Sequence, residues 1–524
     1  MIKLLIYTFV FLFGSSFCNE QELKTLYYSL DPNSISELLA FHKLYPNSAE
    51  GKQAYNDFWQ LIYKHRDNMP ENTHFLEIPE LDISSIMSVV NKQEYEEKND
   101  IPYSSLKAID NLCSHLKNRS LKGYSIWTKE ELVDLKSEEI DLARALMIYQ
   151  FDGDKNKIKQ YEAALDLIAL QVLAYLPKDA TDRQKVDAIS YFIFHEKRFR
   201  FPPHSLHVKD IDTYTLLPSV LDSHHGVCLG VSILYLTIAE RLGISLKIIT
   251  PPGHIFLGFE NEFESINIET TSRGMDFSDK KYLSISTKSL QRRTKKEVIG
   301  LAFINQASVA LQKNDYGKTV NLYTQALPFL KNDHVLTTLL GYAHIFNGDE
   351  KSGKKFLMKS LTIDDVHSLV KDNTPQDFLN NKVDAEGLKV IFKNVDESRS
   401  SIIEKQELLK KTLKKYPNFR EGLLQLAITH LQLNQSEKAL DVLKSYHNID
   451  NSSCVVEYYL SVVYLRRLCY VDAWKHFKIA LEITKKFDYI PKCLQQLKFS
   501  LKHLCKDPDE HLLFDHSVIN PSKI

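Results

Sequence analysis

The 524-residue chain carries 66 Lys and Arg against 67 Asp and Glu, a net charge of −1 at pH 7. So balanced a charge gives no electrostatic footprint for nucleic acid or for an anionic membrane surface, and neither is expected as a partner. The length exceeds what a single core serves and predicts two or three domains; 17 Gly and 17 Pro suit a mostly helical protein with short loops.

Residues 1–18 read MIKLLIYTFVFLFGSSFC. One lysine precedes an apolar run from Leu4 to Phe13, and small residues follow at Gly14, Ser15 and Ser16. This pattern reads as a signal peptide cleaved after Ser16 or Cys18, with export to a periplasmic or other extracytoplasmic space; an uncleaved N-terminal anchor is the other reading. No later segment approaches the ~20 apolar residues of a membrane span. Residues 19–140 are expected to form a helical N-terminal region packed on the domain that follows. Its helices are placed at Ser34–Tyr45 and Gln53–His65, a third starts in Leu81–Ile86, and a polar exposed stretch covers Lys92–Asp100.

The second domain is expected over 141–290. Helices are predicted at Ser137–Tyr149 and Lys157–Tyr175, and from a Thr181 cap to about Phe194. A histidine-rich loop carries His204 and His207, then His224 and His225. With His254 these five raise the question of a metal. No pair has helical i, i+4 spacing and no carboxylate sits at ligand spacing, so neither metal nor cofactor is expected. Exposed loop histidines are the reading, with His225 beside Cys228 where it would shape access.

Chemistry concentrates in Gly226–Glu269. Cys228 opens an apolar 3–4 periodic run, Val231, Leu234, Tyr235, Ile238, Ala239 and Leu242, which predicts a helix ended by Gly243. Leu246–Thr250 predicts a strand, Pro251-Pro252-Gly253 a turn, Ile255–Phe259 a strand led by His254, and Phe263–Glu269 a third strand. The order is therefore Cys at a helix N-terminus, His at the start of a strand, and a carboxylate at the end of the next. That order suits a nucleophile favoured as thiolate by the helix dipole, a base, and an orienting group. Glu269 is the first choice for the third member and Asn267 the alternative, because i and i+2 on a strand share a face. A small core cysteine and a hydrogen-bonded strand-edge histidine are the bland readings of the same residues.

The runs GVCLGVSILYLTIAERLGI and PPGHIFLGF resemble the core of the transglutaminase-like superfamily. More closely they resemble its SirB-type branch, in which such a domain is joined to tetratricopeptide repeats. The likeness extends upstream to about Ala143. It implies a papain-like α+β fold and maps the family's nucleophile onto Cys228 and its base onto His254. The family's third residue, usually Asp, falls on Glu269. The resemblance also implies acyl transfer or amide hydrolysis; a degenerate domain serving as a non-catalytic scaffold is the rival reading.

From about Asp279 the pattern changes to helices only. Thr319, Tyr323 and Ala326, then Gly353, Leu357 and Ser360, fall on the packing positions of a tetratricopeptide template, with Leu340-Gly341 on the intervening helix. Ala439, Leu443 and Tyr446, then Ala473, Phe477 and Ala480, repeat the pattern, with Leu426-Ala427 and Leu460-Ser461 on the preceding helices. Both pairs keep the 34-residue period of such repeats. Residues 291–515 are therefore expected to form an all-α solenoid, with a divergent helical pair over Val366–Glu404. Its concave face would take a peptide or protein ligand; a structural arm or dimerisation surface is the alternative. The basic run Lys410–Lys415 reads as a solvated helix face. In an oxidising compartment Cys454–Cys469 or Cys493–Cys505 would be available as disulfides.

Overall fold

A computed structural model describes residues 20–65, 100–203, 211, 213–396, 398–486 and 490–508. The leader reading at 1–18, the helix start at 81–86, the polar stretch 92–99, His204 and His207 lie outside the described residues. The architecture is an α+β domain with helices packed before it, followed by all-α repeats.

The N-terminal helices are α1 (Glu20–Tyr28), α2 (Ile35–Leu44), α3 (Ala49–Tyr63) and α4 (Tyr103–Leu112). Ser34 caps α2 by accepting from the Glu37 amide, 3.2 Å. Ser48 likewise accepts from Gly51, 2.9 Å, so α3 starts four residues before the expected Gln53. Further on come α5 (Lys129–Asp134), α6 (Leu142–Gln150), α7 (Lys155–Ala174) and α8 (Asp182–Tyr191). Helix α8 carries the capping box Thr181–Gln184 and runs into a π-turn, Phe192–Glu196. Buried side-chain amides of α7 stitch on the preceding segment. Gln171 accepts from Ile35 N and donates to Asn33 O, and Gln160 accepts from Ile101 N and donates to Ile101 O, each at 2.9 Å.

Helices α9 (Leu217–Ser223) and α10 (Cys228–Leu242) lead into the sheet. Every residue of α10 except Cys228 and Glu240 is buried, and Gly243 ends it in the left-handed conformation at φ 76°. The strands β1 (Lys247–Thr250), β2 (Phe256–Glu260), β3 (Ser265–Ile268) and β4 (Gln291–Arg293) form an antiparallel sheet of order β3-β2-β1-β4. Strand β4 corrects the expectation of helices only beyond Asp279. It pairs Gln291–Arg293 with Thr250–Ile248, and its Arg293 is held by Asp333 at 2.8 Å and Glu297 at 3.0 Å.

The repeats comprise α11 (Lys295–Gln312), α12 (Tyr316–Ala326), α13 (His334–Phe346) and α14 (Glu350–Ser360). The off-register segment forms the short helices α15 (Thr374–Leu379) and α16 (Ala385–Phe392). Then follow α17 (Arg399–Lys415), α18 (Arg420–Gln432), α19 (Ser436–Ile449), α20 (Cys454–Arg466), α21 (Tyr470–Lys485) and α22 (Lys492–Leu504). The packing residues Thr319, Tyr323, Ala326, Gly353, Leu357, Ser360, Ala439, Leu443, Tyr446, Ala473, Phe477 and Ala480 are all buried. The described cysteines are free thiols, so neither disulfide weighed from sequence is formed. Cys454 is buried with its Sγ on the Ile285 carbonyl, 3.5 Å, whereas Cys469 is exposed.

One apolar core runs from Ile35 through the sheet to Ala343, so the first repeats share it. Polar contacts reinforce that junction. The Lys295 ammonium meets the Glu240 carboxylate and donates to Ile140 O at 2.6 Å, and Lys296 donates to Val133 O and Leu135 O.

Two glycines set the close approach of α13 and α14. A Cβ on Gly341 would lie 2.6 Å from Leu357 Cδ2; one on Gly353 would lie 2.8 Å from the Gly341 carbonyl oxygen and 2.4 Å from Ile345 Cγ1. Gly341→Leu should therefore cost ~1–3 kcal/mol in urea unfolding through overpacking. At Gly353 the obstacle includes backbone, which cannot rotate aside. Gly353→Ala should destabilise despite the ~1 kcal/mol that alanine gains in a helix. A net stabilisation by either change would contradict this packing.

Candidate active site

Cys228 is the first residue of α10 and only partly buried. The cap residue before it, Val227, offers no side-chain acceptor to the first-turn amides. Those N–H groups carry the positive end of the helix dipole toward the sulfur. The loop before α9 crosses this turn closely: Tyr214 O accepts from Val227 N at 3.0 Å, and a Cβ on Gly230 would lie 2.1 Å from that carbonyl. Only glycine fits there.

His254 sits in the turn two residues before β2, rather than at the strand's start. Gly253 at φ 71° makes the turn, and His254 N donates to Pro251 O at 3.1 Å. Its Nε2 meets Glu269 Oε2 at 2.7 Å, and Cys228 lies near enough to raise the ring's basicity. The three side chains singled out from sequence are thus brought together, with the ring between sulfur and carboxylate.

Glu269 follows directly on β3 and is buried, at 3% exposure. A buried carboxylate needs donors, and both oxygens have them. Oε1 accepts from Thr271 N at 3.1 Å and Thr271 Oγ1 at 2.6 Å; Oε2 accepts from the Tyr282 hydroxyl as well as meeting His254. Its backbone is fixed too, with N donating to Met275 O at 3.0 Å and O accepting from Gly274 N at 2.9 Å. Thr270 ties this corner to α10, its Oγ1 lying 3.0 Å from Ser232 Oγ and 3.5 Å from Cys228 O. Tyr282 stacks between the His254 ring at 5.5 Å and Phe256 at 4.6 Å, fixing the imidazole plane.

The electrostatics follow from this geometry. Burial alone would lower the basicity of His254; hydrogen bonds to Cys228 and Glu269 and their charges outweigh it and raise the imidazole to about 9. Burial alone would raise Glu269; hydrogen bonds from His254, Thr271 and Tyr282 and the imidazolium charge hold it at about 2. The Tyr282 hydroxyl is pushed up by burial and by the carboxylate it serves.

Asn267, the alternative third member, points elsewhere: its Nδ2 donates to Phe277 O at 2.6 Å and Asp279 Oδ1 at 2.7 Å. Strand β3 ends at Ile268, so the shared-face rule does not extend to Glu269. His225 is also corrected. It is buried, not an exposed loop residue: Nδ1 donates to Ser223 O at 2.8 Å while Nε2 accepts from Arg200 Nε at 2.9 Å. His224 lies in the left-handed region at φ 54° against the Phe199 ring, 4.5 Å away. Tyr282 and Thr271 were missed from sequence. Thr271 lies two residues after Glu269, the spacing of a local side-chain to backbone turn, and could have been found; nothing in the irregular polar run around Tyr282 marks it.

Residues 159–311 match the family model of the Transglutaminase-like superfamily, so the segment holding Cys228, His254 and Glu269 is a transglutaminase-like domain. No curated protein matches the chain. Among solved structures, a MamA RS-1 double mutant is 16% identical, over 36% of this chain and 97% of its own, with a TM-score of 0.20. YrrB, described as a TPR protein with an unusual peptide-binding site, is 14% identical over 38% and 92%, TM-score 0.20. PilF of Pseudomonas aeruginosa is 14% identical over 43% and 99%, TM-score 0.19.

The shifted groups give a pH signature. Glu269, lowered to about 2, contributes stability present above its ordinary 4.5 and lost as pH falls through 2. His254, raised to about 9, contributes stability fully present below its ordinary 6.5 and lost as pH rises through 9. The melting-temperature gap between wild type and Glu269→Gln should therefore be widest from about pH 4.5 to 6.5 and shrink as pH rises through 9. A gap that does not change between pH 6 and 10 would contradict the ion pair.

Proposed function

We propose that the protein is a cysteine-dependent acyl-transfer enzyme acting on a peptide or protein amide, with the repeats binding its partner. The observation that carries this reading is the His254 ring held by a buried, fully donated Glu269 beside Cys228. Cys228 Sγ attacks the acyl carbon and forms a thioester. His254 hands its proton to the departing amine as the C–N bond breaks. Water or a second amine then attacks the thioester, losing its proton to His254; the C–S bond breaks and the free acid or new amide leaves. Glu269 fixes the ring and balances the imidazolium, and the Cys228 amide at the helix N-terminus offers one donor to the oxyanion.

The joining of this domain to helical repeats supports assignment to the SirB-type branch. For the partner, the supporting feature is a cavity of about 410 Å³ among the repeats, where Tyr342, Phe392, Arg420, Glu421 and Tyr446 supply aromatic and charged contacts. Export, with maturation near Asn19, rests on the sequence of residues 1–18 and belongs to the same proposal.

Alkylation proceeds through the thiolate, which a neighbouring base promotes. Iodoacetamide should modify Cys228 in the folded protein ahead of the other cysteines. His254→Ala should slow that reaction at least 10-fold, and Glu269→Gln should slow it less because the amide still accepts from the ring. Alkylation of Cys228 no faster than that of the other cysteines, with or without His254, would leave a repeat scaffold carrying an inactive transglutaminase-like domain.

A further inference from the structure

A second cluster lies in the repeats, remote in sequence from the Cys–His–Glu site. Glu457, in the first turn of α20, has a fully buried side chain. Its Oε1 meets His447 Nδ1 of the α19 C-terminal turn at 2.5 Å, and its Oε2 meets His476 Nδ1 of α21 at 2.7 Å. The three ligand-type atoms, two imidazole nitrogens and one carboxylate oxygen, all lie within 4.8 Å of one another.

We propose that His447, Glu457 and His476 bind one divalent transition-metal ion of the zinc type. A carboxylate withdrawn from water needs compensating charge. A divalent cation supplies it. Two histidines and a carboxylate with one position left for water form a zinc-type donor set. Zinc bonds of ~2.0–2.1 Å to each donor put tetrahedral ligand atoms about 3.3 Å apart, so the two His–Glu contacts open by less than about 1 Å and the remaining pair, within 4.8 Å, closes by at most about 1.5 Å. The rings are already oriented. Tyr464 stacks on His476 at 5.4 Å with the planes 9° apart, and His447 meets His476 edge-on at 5.4 Å. The His447 side chain keeps 28% exposure, which gives the ion a way in and water a place to complete the shell. Since the ligands come from three successive helices, the ion would brace the last repeats against one another.

The test uses the full chain, stripped with chelator, titrated with zinc chloride alone by calorimetry and with cobalt chloride by visible absorption. Cys228→Ala combined with His254→Ala removes the thiol and imidazole of the candidate active site as competing ligands. Wild type and that double variant should both take up one equivalent, show the absorption of four-coordinate cobalt, and melt higher with zinc. Glu457→Gln should weaken binding at least 100-fold. His447→Gln, at the exposed edge, should weaken it at least 10-fold while leaving the far-ultraviolet circular dichroism unchanged, which keeps the test valid if Glu457→Gln fails to fold. Binding absent from wild type, or lost in the Cys228/His254 variant but retained in His447→Gln, overturns the proposal.

Discussion

Helix α10 is buried along nearly its whole length, and that constraint organises the molecule. A helix enclosed by protein can meet solvent only at an end or at a gap, and here the residues not fully buried are Cys228 and Glu240. The first is the candidate nucleophile. The second is buried enough for its carboxyl to be raised to about 7, and it anchors the first repeat helix through Lys295. The same enclosure traps Arg241, whose Nε donates to Asp166 of α7 at 2.7 Å and whose Nη1 donates to Thr237 O at 3.1 Å, while its buried Nη2 is left without a partner. Arg119 completes this buried group on the other Asp166 oxygen. Breaking one partner of such a group strands a charge, typically at several kcal/mol, so the helix that presents Cys228 is fixed in rotation and depth.

Rigidity at the sulfur is matched at the base. Glu269 sits where the chain leaves β3, its carboxylate shared among His254, Thr271 and Tyr282 and its backbone pinned to Met275 and Gly274. From Tyr282 the chain runs on to the repeats: Leu369 N donates to Ser286 O at 2.7 Å, Lys288 N to His367 O at 3.0 Å, and Cys454 Sγ meets Ile285 O. Repeats and the Glu269 corner are therefore joined by a short segment.

Much of this was legible in the sequence because the signals are local. Caps at Ser34, Thr181 and Gly243 and the 3–4 periodicity of α10 act over one or two turns of chain, and the 34-residue interval repeats such a local pattern. Cys228, His254 and Glu269 were readable because each sits at an element boundary that local rules mark. Strand β4 was not, since Gln291-Arg292-Arg293 is short and charged and pairs only because β1 lies beside it. The burial of His225 depends on Arg200 and Ser223, and the convergence of His447, Glu457 and His476 on three helices meeting. Such tertiary facts leave no periodic trace. The start of α3 shows a smaller miss: Ser48 was readable as a cap, and weighting the apolar face alone placed the helix one turn late.

The central claim is that sulfur, imidazole and carboxylate form one coupled unit. Its most direct measurement is the titration of the His254 ring by NMR in the intact wild-type protein, with the resonance assigned through His254→Gln. A ring coupled to both partners stays protonated through neutral pH and titrates near 9. A midpoint at or below the ordinary 6.5 would contradict it, because the ring would then be a buried histidine coupled to neither Cys228 nor Glu269.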